Sequence, residues 1–178
     1  MISGRETIWV PPILVGGDFF YSLVRWSPIG ASRISVLTED DIVDAVCDYL
    51  EANGYSIQKR SATTERGDDI VAMKASSGIT LYIEAKGETS NRRSSARFGK
   101  PFDSAQCRDH VANAFYSAAS NFQGADVSKS RRAGIALPKI QRHQDCIAKI
   151  QAALDGLQIA IFWVSPDLSV RVASKWPV

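Results

Sequence analysis

From Thr38 to Tyr55 the apolar positions are Ile42, Val43, Val46, Tyr49 and Leu50, the three-and-four spacing of one helical face. Thr38 can cap that helix, Glu39, Asp40 and Asp41 suit its first turn, and Asn53-Gly54 stops it. The pattern then changes period. "YSIQKRSA" reads as a short strand, and Asp69 to Lys74 and Ile79 to Lys86 read as two more, joined around "SSG" as a hairpin. A polar stretch, "GETSNRRSSARFGKPF", breaks the pattern as a loop. Helical spacing returns from Asp103 to Asn121, with Val111, Ala114, Phe115 and Ala118 as the apolar side. "AGIALP" is a short buried strand closed by Pro138. "KIQRHQDCIAKIQAALDGL" is a further helix with Ile140, Ile147, Ile150, Ala153 and Leu154 on one stripe. "QIAIFWVS" and "LSVRVAS" supply two more strands. This order predicts an α/β three-layer sandwich, a central mixed sheet flanked by helices on both faces.

Residues 1–35 show no sustained period and carry Pro11, Pro12, Gly16, Gly17, Pro28 and Gly30, so we read them as an extension to a single domain over 36–178. The run "IWVPPILVGG" is short, broken by two prolines and without a basic flank, unlike a signal peptide or a membrane span. Cys47, Cys107 and Cys146 are sparse and form no CxxC pair, which points to a reducing, cytoplasmic setting. A net charge of +2 is too mild to imply nucleic acid. Its distribution says more: Lys86, Arg92, Arg93, Arg97 and Lys100 fall together against one acid, Glu88. That loop has little to bury, so it is expected to be mobile and to offer its cations to phosphates.

The candidate chemistry sits in "GDDIVAMKASSGITLYIEAKG". Residues two apart on a strand share a face, so Glu84 and Lys86 point the same way. A hairpin register opposing Asp69 to Glu84, or to Lys86, brings all three charges to one face. A slip of one residue sends Asp69 to the other. The turn permits a two-residue loop, Ser77-Gly78, which gives the pairing with Lys86. Two carboxylates with a backbone carbonyl suit a hard divalent cation such as Mg²⁺. A lysine beside them can orient or help deprotonate a water and offset charge on a phosphate under attack.

"GDDI" followed by "YIEAKG" resembles the PD-(D/E)xK nuclease superfamily, whose relatives include Holliday-junction resolvases and Mrr-like restriction enzymes. The resemblance implies a restriction-endonuclease-like fold, its core order of helix, three strands, helix and strand running from about Thr38 to Leu137. Asp69 stands for the first acid and Glu84, Ala85 and Lys86 for the D/E-x-K triplet, with the Ala85 carbonyl as a further metal ligand. Asp68 replaces the proline of the family's pattern. Glu39 matches an acid that many members add from the first helix, and Gln106 a glutamine that some add from the next. The implied activity is Mg²⁺-dependent hydrolysis of DNA phosphodiesters, with Mn²⁺ able to substitute, by a protein that works alone, as a homodimer or with a partner subunit. The same fold without catalysis, as a DNA-binding or protein-interaction module, is the second reading. Nucleotide-binding glycine loops are missing from the sequence.

Plainer readings stand beside these. Glu39 can serve the helix dipole, Gln106 can be a solvated surface residue, and Glu84–Lys86 can be an edge-strand ion pair. Cys107 with His110 and His143 with Cys146 have the spacing of a four-ligand zinc site. They lie on two helices without a knuckle, and the apolar stripes account for the cysteines, so zinc is not expected.

Overall fold

The computed structural model describes residues 36–61, 67–90, 94–122 and 130–178. The extension at 1–35, and Arg92 and Arg93 of the basic loop, lie outside the described residues. In chain order the elements are α1 (Glu39–Ala52), β1 (Ser56–Arg60), β2 (Ile70–Lys74), β3 (Ile79–Ala85), α2 (Ser104–Ser120), β4 (Arg131–Pro138), α3 (Gln141–Leu157), β5 (Ala160–Val164) and β6 (Val170–Ala173). They build an α/β structure around a six-stranded mixed sheet whose strands lie side by side in sequence order. β3, β4 and β5 are mutually parallel, and the remaining neighbours are antiparallel.

Strand alternation sorts the core into two layers. Ile70, Ala72, Leu81, Ile83, Ala85, Ala136, Ala160, Phe162 and Val164 face α1, which contributes Ile42, Val43, Val46 and Leu50. Ala133, Ile135, Leu137 and Ile161 face the other way, onto Val111, Ala114 and Ala118 of α2 and Ile147 and Leu154 of α3. Parallel neighbours need crossovers, and two successive crossovers of one hand put both helices on one face. Gly134 lies on the α1 side, where a Cβ would come 2.8 Å from the Phe162 ring. Its missing side chain is what admits that ring.

The local signals act as expected at the start of α1. Thr38 accepts the Asp41 amide at 3.2 Å, and the Asp41 carboxylate accepts the Thr38 amide at 2.9 Å. Four expectations change. Tyr49 is only half-buried, and Ala153 is exposed while His143 takes a fully buried place on α3. The hairpin is not closed by two residues: Lys74 opposes Ile79, so Ala75 to Gly78 form a four-residue connection, with Gly78 at φ 67°. β3 also stops at Ala85, leaving Lys86 just beyond its end.

Candidate active site

The β2–β3 register opposes Ile70 to Ile83, and continuing it one step places Asp69 opposite Glu84. This is one of the two registers that gather the charges. The Asp69 amide donates to the Ile83 carbonyl at 3.1 Å, and its carboxylate Oδ2 accepts the Ala85 amide at 2.7 Å. The carboxylate is therefore fixed against the exit of β3. Lys86 folds back over that exit. Its Nζ donates to Glu84 Oε1 at 2.5 Å and to the Ala85 carbonyl at 2.8 Å, and lies 3.7 Å from Glu39 Oε2.

Glu39 comes from the first turn of α1, on the far side of the sheet end from α2. Gly87 makes this approach possible: a Cβ there would lie 2.6 Å from the Glu39 nitrogen and 2.8 Å from the Thr38 carbonyl carbon. Glu39, Asp69, Glu84 and Lys86 then line one cavity of about 420 Å³, together with Gly67, Asp68, Ser117, Ser120 and Asn121. Sequence reasoning missed the three residues from the end of α2. Asn121 Nδ2 donates to Asp68 Oδ1 at 2.7 Å, which ties Asp68 to the end of α2. A polar "SNF" ending an otherwise amphipathic helix was the one available signal.

Gathering acids under partial burial sets their protonation. Burial drives the Glu39 carboxyl up to about 7, with Lys86 opposing the shift and Asp69 and Glu84 adding to it. Burial likewise raises Asp69, against the Ala85 amide and Lys86, and raises Glu84 against Lys86. Burial alone would lower Lys86, but Glu39 and Glu84 outweigh it and the ammonium is held above its ordinary value.

Gln106 stands elsewhere. Its Oε1 accepts the Asp103 amide at 3.1 Å and the Arg97 guanidinium at 2.6 Å, while the Gln106 backbone amide donates to the Asp103 carboxylate at 2.9 Å. It is a capping residue of α2 and does not line the cavity. Arg97 and Lys100 are exposed. The loop that carries them is less free at its root than its composition suggests, since Glu88 and Thr89 are buried and the Thr89 hydroxyl donates to the Arg97 carbonyl at 2.8 Å. On α3, His143 Nδ1 faces the Pro138 carbonyl at 3.3 Å.

The donor set suits a hard cation: two carboxylates and a carbonyl, all oxygen. The Lys86 ammonium already sits on two of these three donors, Glu84 Oε1 and the Ala85 carbonyl. Among the described residues no three His, Cys, Asp or Glu side chains form a group that could hold a metal, those of this cavity included. A site of two carboxylates and one carbonyl leaves coordination positions to water and substrate, as Mg²⁺ prefers. No helix among the described residues is long and apolar enough to cross a membrane. In comparison with known proteins, the chain matches no family model and no curated protein sequence.

Proposed function

We propose that this protein is a metal-dependent nuclease that hydrolyses DNA phosphodiester bonds on a restriction-endonuclease-like scaffold of the PD-(D/E)xK type. The observation that carries this reading is the convergence of Asp69, Glu84 and Lys86 on one polar cavity at the end of the sheet, through the hairpin register. Asp69, Glu84 and the Ala85 carbonyl would hold Mg²⁺ or Mn²⁺, which supplies Lewis acidity at the scissile phosphate. The chain's own residues do the rest. Asp69 is held by the Ala85 amide, and both it and Glu84 line the cavity. Lys86 is a hydrogen-bond donor in this cluster, to Glu84 and to the Ala85 carbonyl. It orients the attacking water and offsets charge that builds on the phosphate oxygens. Arg97 and Lys100, with Arg92 and Arg93, would contact the DNA backbone.

The second reading is a nuclease-like scaffold that binds without cutting. It draws on one observation, that Lys86 already occupies the oxygens of Glu84 and Ala85. Incubating supercoiled plasmid, linear duplex and single strands with Mg²⁺, Mn²⁺ or EDTA separates the two. Cutting that needs the cation and is lost in Asp69→Asn supports the nuclease; metal-independent binding without cutting supports the module.

A further inference from the structure

Glu88 reads in the sequence as a lone acid in a basic loop, yet only 8% of its surface is exposed. Its partner is 51 residues away. The Leu37 amide donates to Glu88 Oε1 at 2.7 Å, and the Glu88 amide donates back to the Leu37 carbonyl at 2.9 Å. Leu37 is itself buried and precedes the cap of α1, so its N–H has no helical acceptor. A buried amide without an acceptor is costly, and Glu88 supplies one. The Glu88 carbonyl in turn accepts the Phe102 amide at 2.9 Å, just before α2. One residue thus ties the approach to α1, the exit of β3 and the approach to α2.

The geometry has a direct bearing on the cavity. Glu88 lies two residues after Lys86, and Leu37 lies two residues before Glu39. Between them Gly87 presses on the Thr38–Glu39 backbone with no room for a Cβ. We infer that Glu88 is a positioning residue: by gripping the Leu37 amide it fixes the first turn of α1 and holds the Glu39 carboxylate against Lys86, a role that rests on the nuclease reading above. The grip needs an acceptor oxygen at that distance and not a charge. Glutamine can supply it; methionine, of similar length, cannot.

The test uses the full chain as wild type, Glu88→Gln, Glu88→Met, Glu39→Gln and the double variant Glu39→Gln/Glu88→Met. Plasmid cleavage with Mg²⁺ and exchange of the Leu37 amide are measured together. Glu88→Met should lose cleavage to about the extent of Glu39→Gln, on the order of tenfold, and the double variant should be no worse than either. Glu88→Gln should stay within about twofold of wild type and keep slow Leu37 exchange. Wild-type cleavage by Glu88→Met, multiplied losses in the double variant, or failure of Glu88→Gln to rescue overturns the role. Should Glu88→Met not fold, Glu88→Asp keeps the charge but withdraws the acceptor. It should lose cleavage in the same way, and wild-type behaviour from it overturns the role. If wild type cuts nothing with either metal, the nuclease reading falls, and exchange alone decides the grip. Fast Leu37 exchange in Glu88→Met but not Glu88→Gln upholds it; unchanged exchange overturns it.

Discussion

Lys86 answers to three acids and one carbonyl, and each relation predicts a different variant. With two of its bonds made to Glu84 and Ala85, the side chain competes for the oxygens that a metal would use. Lys86→Ala should therefore lose at least about 100-fold in cleavage while keeping or tightening Mg²⁺ uptake in a calorimetric titration. Glu84→Ala should lose both. Asp69→Asn keeps an acceptor for the Ala85 amide, so it should fold normally and still fail to take up the metal. Lys86→Arg should not rescue, because a planar fork does not fit a seat shaped by a compact ammonium. If these residues form only an edge-strand ion pair, all four variants keep whatever activity wild type has.

At the scale of elements, close approaches of backbone matter more than side-chain chemistry. A Cβ on Gly87 would meet the backbone of Thr38 and Glu39, which cannot yield without moving α1. At Gly134 it would meet mainly the Phe162 ring, which can tilt. Gly87→Ala should cost about 3 kcal/mol in urea titration and Gly134→Ala about half as much. This contrast also marks what the sequence could and could not disclose. Strands, helices and the gathering of Asp69 and Glu84 on one face were legible because alternation and helical spacing are local rules, but which of two registers does so was not: the turn pointed to Lys86 opposite Asp69, and the structure has Glu84 there. Glu88 was not legible, since its burial depends on an amide 51 residues away. Gln106 misled in an instructive way. "DSAQ" is a capping box written in the chain, and that local pairing with Asp103 claims the side chain that the nuclease pattern would assign to the site. The four-residue hairpin loop escaped because a two-residue turn and a longer one share the same Ser and Gly signals.

For the molecule as a whole, two ionisable groups pull stability in opposite directions with pH. Burial holds the imidazole of His143 neutral, lowering it to about 4, against a smaller opposing pull from the Pro138 carbonyl. The unfolded chain takes up that proton near 6.5, so folding loses about 3 kcal/mol as pH falls from 6.5 to 4. Glu39 acts the other way: its raised carboxyl makes the fold less favourable as pH climbs from 4.5 toward 7. Relative to wild type, urea titrations across this range should show a steeper acid loss in Glu39→Gln and a smaller acid loss in a folded His143→Gln. On the DNA side, replacing Arg92, Arg93 and Arg97 with Ala should weaken all sequences alike and reduce the salt slope by about 2 to 3, with an unchanged slope arguing against phosphate contact. The in-order sheet carries a consequence of another kind, for the timing of assembly. Each strand lies beside its neighbours in the chain, yet the parallel β3–β4 and β4–β5 pairs close over whole helices, so the β1–β2–β3 end is the most local part of the sheet. Glu39, Asp69, Glu84 and Lys86 all lie ahead of β4, so a ribosome that has released the chain through Glu88 has already delivered every charge of the cluster. What the later strands add is the platform that keeps them there.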